Sequence, residues 1–341
     1  MSYTPVTIHD IARLLNISAS TVSRALNDHP RISKKTKEKV RQMAGELNYQ
    51  PNLVASNLRS GKSKIIGILV PRINRYFFSN VIGGIEEVAS SAGYKIMIMQ
   101  SDESYKKEIE SIYALLNARV DGILVSISIE TRKFDHFDLI RKRGLPLIFF
   151  DRSINNSDFS NVGINDFSGG LKAVQHLISQ GCRRIAHLAG PEHINIYYNR
   201  KKGFEKAHEE AGLPIDSGLV VKDAVTWDKG KEACEYLINL KNPPDAIFAA
   251  SDFSAVGAMV CLKENGLKIP EDVAVVGYAN EPFNAWLEPG LTSVDQHSNE
   301  IGKNAARLFL NEVGRLPEDS KSTQIILEPE LIIRKSSVKK G

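Results

Sequence analysis

Three cysteines in 341 residues are too few and too scattered for a disulfide framework. Cys182, Cys234 and Cys261 are odd in number, form no Cys-x-x-Cys pair and lie in apolar stretches. They are expected to be reduced core thiols of a cytoplasmic protein. Long hydrophobic runs are missing too: none approaches the ~20 residues a bilayer-crossing helix requires. The opening Met1 to Asp10 is polar and ends in an acid, unlike a secretory leader. No membrane association is expected. Gly-x-Gly occurs nowhere, so the dinucleotide fingerprint is excluded. There is no Gly-x-Ser-x-Gly elbow and no His-Glu-x-x-His, and His208-Glu209 lacks its second histidine. Gly61-Lys62-Ser63 looks like the tail of a phosphate loop, but Ser56 stands where the first glycine belongs, and the stretch precedes a strand instead of following one. Trp227 has acidic neighbours, yet no catalytic carboxylate pair can be picked out. No cofactor, metal or enzymatic activity is expected.

What is present is an uneven distribution of charge. Residues 1–64 hold 11 Lys and Arg against 4 Asp and Glu, whereas the remainder holds 33 against 36. A basic head on a slightly acidic body suits a polyanion partner, and a solvated charged face would look the same.

The head reads as helix throughout. Ile8, Ile11, Ala12 and Leu15 fall on one helix face, behind a Thr7-x-x-Asp10 capping box. Val22, Ala25 and Leu26 form a second stripe. Val40, Met43, Ala44 and Leu47 form a third, with Ser33 as its N-cap and Asn48 near its end. None of these short helices can bury a face alone, so they must pack together. Tyr49-Gln50-Pro51-Asn52 stops the third. Leu53–Leu58 is a six-residue helix-compatible piece, and Arg59 to Ser63 is a polar linker.

From Lys64 onward apolar strands alternate with amphipathic helices. Strands are expected at 65–70, 95–99, 122–125, 147–150, 185–189, 246–250 and 273–276, separated by helices such as 78–91, 106–118, 169–180, 198–211, 229–240 and 254–264. That rhythm gives parallel sheets covered on both faces. About eleven strands are too many for one doubly wound sheet, so the fold class is α/β with two lobes.

The short turn Asn16-Ile17-Ser18 between the first two helices makes the head a helix-turn-helix candidate. The second helix would enter a major groove and present Ala19, Ser20 and Arg24 to base edges. Ser18, Thr21, Ser23, Ser33 and Thr36 supply short hydroxyls for phosphates. On spacing alone, a three-helix protein-interaction domain stays open.

The motifs themselves decide further. Val6-Thr7-Ile8-His9-Asp10-Ile11-Ala12, Ile17-Ser18-Ala19-Ser20-Thr21-Val22-Ser23-Arg24-Ala25-Leu26-Asn27 and Leu47-Asn48-Tyr49-Gln50-Pro51-Asn52 closely resemble the head of the lactose/galactose repressor (LacI/GalR) family. The resemblance continues through Ile66-Gly67-Ile68-Leu69-Val70-Pro71, Phe149-Phe150-Asp151-Arg152, Arg184 to Pro191, Val275-Val276-Gly277-Tyr278 and Pro289 to Val294. It spans essentially the whole chain.

The resemblance implies a sequence-specific transcription regulator, a repressor in most relatives. It would be a cytoplasmic homodimer on a palindromic double-stranded operator. Thr7, Asn27, Tyr49, Asn52 and Ala55 join the DNA-facing residues. Leu53–Leu58 becomes a hinge helix whose Leu58 wedges into the minor groove. Residues 1–50 are then the head, 51–63 the hinge and linker, and 64–341 a two-lobed, periplasmic-binding-protein-like body of two parallel doubly wound sheets. The chain would cross between lobes near Ile164–Asp166, Asp295–Gln296 and Ser320–Thr323. That gives an N-lobe of 64–164 and 296–321 and a C-lobe of 165–295 and 322–341.

A small-molecule effector, most often a sugar in this family, would bind between the lobes. Matching cleft positions are Phe77, Phe78, Asp151, Arg200, Ser251, Ala279 and Gln296, with Asn74, Asp252 and Asn280 beside them. Arg200 is expected to open its helix and reach into the cleft toward Asp151 on the opposite lobe. Two departures stand out: Ala279 where many relatives have Asp, and Val225 where several have an aromatic, with Trp227 two residues on. The effector's identity therefore does not carry over. Helices 78–91 and 254–264 match family dimer-interface positions. The tail after Arg334 has no leucine heptads, so a tail-built tetramer is not expected. A periplasmic-type sugar-binding protein and an α/β enzyme are the competing readings, the first disfavoured by the basic head and the opening unlike a secretory leader, the second by the missing motifs.

Overall fold

A computed structural model describes residues 6–49, 62–154, 159–314 and 322–339. The chain divides into two compact units, Met1–Ser63 and Lys64–Gly341.

The first unit holds α1 (Ile8–Leu15), α2 (Ala19–Leu26) and α3 (Lys34–Glu46). Each starts where a short polar side chain can serve the free amides of a first turn. Asp10 Oδ2 accepts from the Thr7 amide and hydroxyl at 3.0 and 2.7 Å. Ser18 Oγ accepts from the Thr21 amide at 3.1 Å, and Ser33 Oγ from the Thr36 amide at 3.2 Å. Asn16 ends α1 in the left-handed conformation. The three apolar stripes close on Ile11, Val22, Ala25 and Val40, all fully buried.

The second unit contains two six-stranded sheets. The first runs β2 (Lys95–Gln100), β1 (Ile65–Val70), β3 (Ile123–Val125), β4 (Leu147–Phe150), β5 (Ser160–Ile164) and β11 (Gln324–Leu327), all parallel. The second runs β7 (Val220–Val221), β6 (Ile185–Leu188), β8 (Ala246–Ala249), β9 (Ala274–Tyr278), β10 (Thr292–Asp295) and β12 (Glu330–Ile332). Only β12 is antiparallel, on β10. The strand order reverses beside β1 in one sheet and beside β6 in the other. Both crevices therefore open at carboxyl ends of strands, where open α/β sheets bind ligands.

Helices cover the sheets in pairs. In the first lobe α4 (Tyr76–Ser91) packs on α11 (Ser298–Glu312); in the second, α7 (Asp166–Ser179) packs on α8 (Asn195–Glu210) and α9 (Trp227–Ile238) on α10 (Asp252–Glu264). Each pair crosses on facing glycines that let the backbones nearly touch. A Cβ on Gly302 would sit 2.0 Å from the Val81 carbonyl oxygen, and one on Gly84 would sit 2.2 Å from that of Asn299. The other helices of the first lobe are α5 (Tyr105–Asn117) and α6 (Asp135–Lys142).

One expected boundary is corrected. The third lobe crossing was placed at Ser320–Thr323, yet β11 still belongs to the first sheet, pairing Gln324–Leu327 with Asn161–Ile164. The chain crosses only at Glu328–Pro329, so residues 324–327 belong to the N-lobe. Four residues with two half-buried side chains carry too little periodicity to announce an edge strand. Cys182, Cys234 and Cys261 are buried and free. Among the described residues no helix is long and apolar enough to cross a membrane.

Candidate functional site

Two places in the chain gather chemistry. In the head, Ser20 and Arg24 lie one helical turn apart on the exposed face of α2, with Asn27 just beyond. Arg24 forms no ion pair or hydrogen bond among the described residues, so its guanidinium is uncommitted. Ala19, Thr21 and Ser23 are half-buried behind them. The hydroxyls proposed for phosphates already have local work. Ser18 Oγ lies 2.8 Å from both Ser20 Oγ and Thr21 Oγ1, and Ser33 Oγ lies 2.8 Å from Thr36 Oγ1. Asn27 Nδ2 donates to the Ser23 carbonyl at 2.9 Å. Lys37 is bound to Asp28 at 2.9 Å, where Arg41 joins it at 3.1 Å; Lys34 and Lys35 stay exposed. Tyr49 is half-buried at the end of the unit. Asn52, Ala55 and Leu58 lie outside the described residues.

In the body a cavity of about 280 Å³ opens between the lobes. The walls gather at the carboxyl ends of strands, mostly from loops and helix starts. The first lobe contributes Arg72 and Arg75 after β1, Phe77 and Phe78 on α4, Glu103 after β2, Ile129 after β3, and Asp151 and Arg152 after β4. The second contributes Ile196, Tyr197 and Arg200 on α8, Val225 and Thr226 after β7, and Ala250, Ser251 and Phe253 after β8. Tyr278, Ala279 and Glu281 follow along β9, and Gln296 comes from a lobe crossing.

Asp151 occupies the left-handed region at φ 59°, which carboxylate side chains tolerate better than most. It is 7% exposed and accepts from Ser126 Oγ at 3.2 Å. Burial pushes its carboxyl up to about 6, against the pull of Arg152 and Arg200. Arg152 grips Glu103 with both terminal nitrogens at 2.7 and 3.2 Å. Its Nε is buried without a hydrogen-bond partner, 4.0 Å from Asp151 Oδ2. Arg200 donates from Nε to Asp166 Oδ1 and from Nη1 to the Ala250 carbonyl, both at 2.8 Å. Burial alone would lower its pKa, but the surrounding negative groups, Asp166 first, raise it.

Of the sequence-derived ligand residues, Phe77, Phe78, Asp151, Arg200, Ser251 and Gln296 line the cavity together. Asn74, Asp252 and Asn280 do not. Asn74 is exposed outside it. Asp252 is wholly buried, accepting from the Glu281 amide at 2.8 Å, Asn284 Nδ2 at 2.8 Å and Ser293 Oγ at 2.7 Å, so it shapes the loop after β9 from behind. Asn280 is held by Asp295 at 2.7 Å and by Arg334 at 2.8 Å. The expected place of Arg200 at the opening of its helix is also corrected. Its helix starts at Asn195, which puts Arg200 in the second turn, and its fork is anchored by Asp166. Sequence reasoning missed Arg72, Arg75, Glu103, Tyr197, Phe253 and Glu281 as wall residues. The usable signal was their position just past strand ends, where charged and aromatic side chains have no covering helix.

Comparison with known proteins places this geometry. Residues 7–52 match the model for bacterial regulatory proteins of the lacI family, and residues 174–337 match a periplasmic binding protein-like domain. Catabolite control protein A of Priestia megaterium is 32% identical over 94% of this chain and 96% of its own. Among solved structures, the lac repressor dimer bound to operator and the anti-inducer ONPF superposes with a TM-score of 0.88 at 25% identity, covering 98% of this chain and 100% of that one. The complex of the transcriptional regulator CelR with cellobiose gives 0.74 at 29% identity, covering 97% and 99%. A DNA-reading head and a two-lobed cleft in this order, matched end to end by such relatives, mean that the chain belongs to the lacI family of bacterial regulatory proteins.

Proposed function

We propose that the chain is a transcriptional repressor whose operator affinity is set by an organic effector held between the two lobes, through Asp151, Arg200, Ser251 and Gln296 among others. The observation that carries this reading is the cleft: polar, charged and aromatic side chains from both lobes face one cavity. A ligand touching both walls has different contacts in open and closed arrangements, which is the requirement for shifting a two-state equilibrium. The lobes already meet at the cleft edge. Asn195 of α8 exchanges hydrogen bonds with Ser153 at 3.0 and 3.1 Å, and His193 Nε2 lies 2.7 Å from the Ile129 carbonyl oxygen. A ligand strengthens or weakens that closure.

The head would work as a pair, two α2 helices in successive major grooves of a palindromic operator, so the working form is a homodimer. Its place is the cytoplasm, with the chromosome. The buried charges of the cleft favour binding over catalysis, because Arg152 and Arg200 are each anchored to a carboxylate. Selecting operators from a random DNA pool with the full chain, then titrating one against a small-molecule panel, tests the reading. A selected palindrome whose affinity changes with one compound supports it. A chain that selects no sequence, or whose affinity no compound changes, overturns it.

A further inference from the structure

The four arginines of the cleft are not equivalent. Arg152 has both terminal nitrogens on Glu103, and Arg200 is held by Asp166 and a carbonyl. Arg72 reaches Asp102 at 3.3 Å, a carboxylate it shares with Lys107 at 3.1 Å. Arg75 has no carboxylate at ion-pair distance among the described residues. Its guanidinium carbon lies 3.6 Å from the centre of the Phe253 ring on the other lobe. Burial lowers its pKa, and the charge of neighbouring Arg72 lowers it further. The acid facing it from the second lobe, Glu281, is itself pushed up to about 7 by burial. A half-buried guanidinium is thus held over an aromatic ring beside a second cation, with Glu281 and Glu103 acting on it only from beyond ion-pair distance.

We propose that the effector is a sugar-sized polyhydroxylated anion, carrying a carboxylate or a phosphate, whose charged group is received by Arg75. This rests on the cleft being the effector site. The planar fork of an arginine matches both groups bidentately. Arg152 Nε, buried and without a partner at the same cavity, offers a further donor. Ala279 puts no polar group on the opposing wall. Asp151, Thr226, Ser251 and Gln296 supply short partners for hydroxyls. The cavity of about 280 Å³ holds roughly nine waters' share of liquid volume, which suits one sugar ring with its substituent. Because Arg75 comes from the first lobe and its aromatic platform from the second, an anion that fixes Arg75 in this pose favours closure.

The test uses the full chain and matched triples: glucose, glucuronate and glucose 6-phosphate, with the corresponding galactose and mannose series. Thermal shift ranks them and calorimetry gives Kd. The proposal expects the acidic member of one triple to bind at least tenfold more tightly than its neutral twin. A carboxylate or a phosphate winner identifies the source of the charge. Arg75→Gln should erase that preference, so that the acidic member binds no more tightly than its neutral twin to the same variant, while Arg75→Lys keeps part of it. A neutral sugar as the best ligand, no acidic member better than its twin, or an Arg75→Gln protein that keeps the preference overturns the proposal. A neutral winner that still alters operator affinity leaves the effector reading standing and removes only the anion. An acidic winner that depends on Arg75 but never alters operator affinity does the reverse.

Discussion

The Arg200 guanidinium lies flat on the Tyr278 ring, 3.6 Å from its centre, joining α8 to the end of β9 beneath the cleft. Asp166, at the start of α7, holds the same guanidinium from the side at 2.8 Å. Three separate segments of the second lobe are thus tied by one cation. Arg200 therefore belongs to the framework of the second lobe as much as to its ligand surface.

Removing it should cost stability first. Arg200→Ala leaves the Asp166 carboxylate buried and unpaired, a loss of about 3–5 kcal/mol. At a few degrees per kcal/mol for a body this size, the melting temperature should fall on the order of 10 °C. The double variant Arg200→Ala, Asp166→Asn should recover much of that loss without regaining a ligand response. Calorimetric melting of both variants checks this, and an Arg200→Ala protein that melts with the wild type contradicts it.

Arg24 is exposed and uncommitted on α2, so Arg24→Ala should leave the fold unchanged. It should weaken a selected operator by about 1–3 kcal/mol and relax preference at one base pair per half-site. Lys34→Ala should weaken all sequences alike and flatten the salt dependence. Lys37→Ala differs from both, because it removes one of the two cations paired with Asp28 and leaves only Arg41. Binding measured on an operator and its single-base variants separates the three.

Two glycines near each other in space should respond oppositely to alanine. A Cβ on Gly302 meets the Val81 carbonyl oxygen at 2.0 Å, so α4 and α11 must separate. Gly302→Ala should destabilise by at least ~1–3 kcal/mol. Gly83 is exposed within α4 with nothing near its would-be Cβ, and Gly83→Ala should stabilise by roughly 0.5–1 kcal/mol. Urea midpoints read both signs directly.

Glu281 gives a pH dependence of definite sign. Burial first, then the charge of Asp252, raises its carboxyl to about 7 from an ordinary 4.5. The folded state therefore binds that proton more tightly than the unfolded chain does. The resulting stability is fully present below the ordinary value and is lost as pH rises through about 7. Replacing the acid by Glu281→Gln should make the melting profile shallower between these limits, the slope that remains there coming in part from Asp151, whose carboxyl burial raises to about 6. A variant whose profile keeps the wild-type slope would show that another group sets it.

The head was legible because its information is local. Ile11, Val22, Ala25 and Val40 fall on helix faces that sequence periodicity displays, and Ser18 and Ser33 mark their own helix starts. In the body, seven apolar strands announced themselves, but β5, β7, β10, β11 and β12 did not: β5 and β10 carry polar residues such as Ser160, Asn161, Thr292 and Ser293 in buried positions, and β7, β11 and β12 are short, partly exposed segments that owe their existence to the neighbour they pair with. The cleft divided the same way. Asp151 and Arg200 sit in recognisable motifs. Arg75 and Glu281 come together only because two lobes close. Asp252 looked like a ligand residue beside Ser251, yet the first turn of α10 directs it inward to Ser293 and Asn284.

The late return of the chain to both sheets sets the order in which the molecule can be made. The head is complete once α3 has left the ribosome. The first lobe lacks α11 and β11, and the second lacks β12, until nearly the last residue is added. At ordinary rates of synthesis that interval lasts on the order of tens of seconds. Throughout it the head is folded, while neither lobe can close on an effector. A nascent chain thus folds its helix-turn-helix head well before it completes the cleft in which an effector would bind.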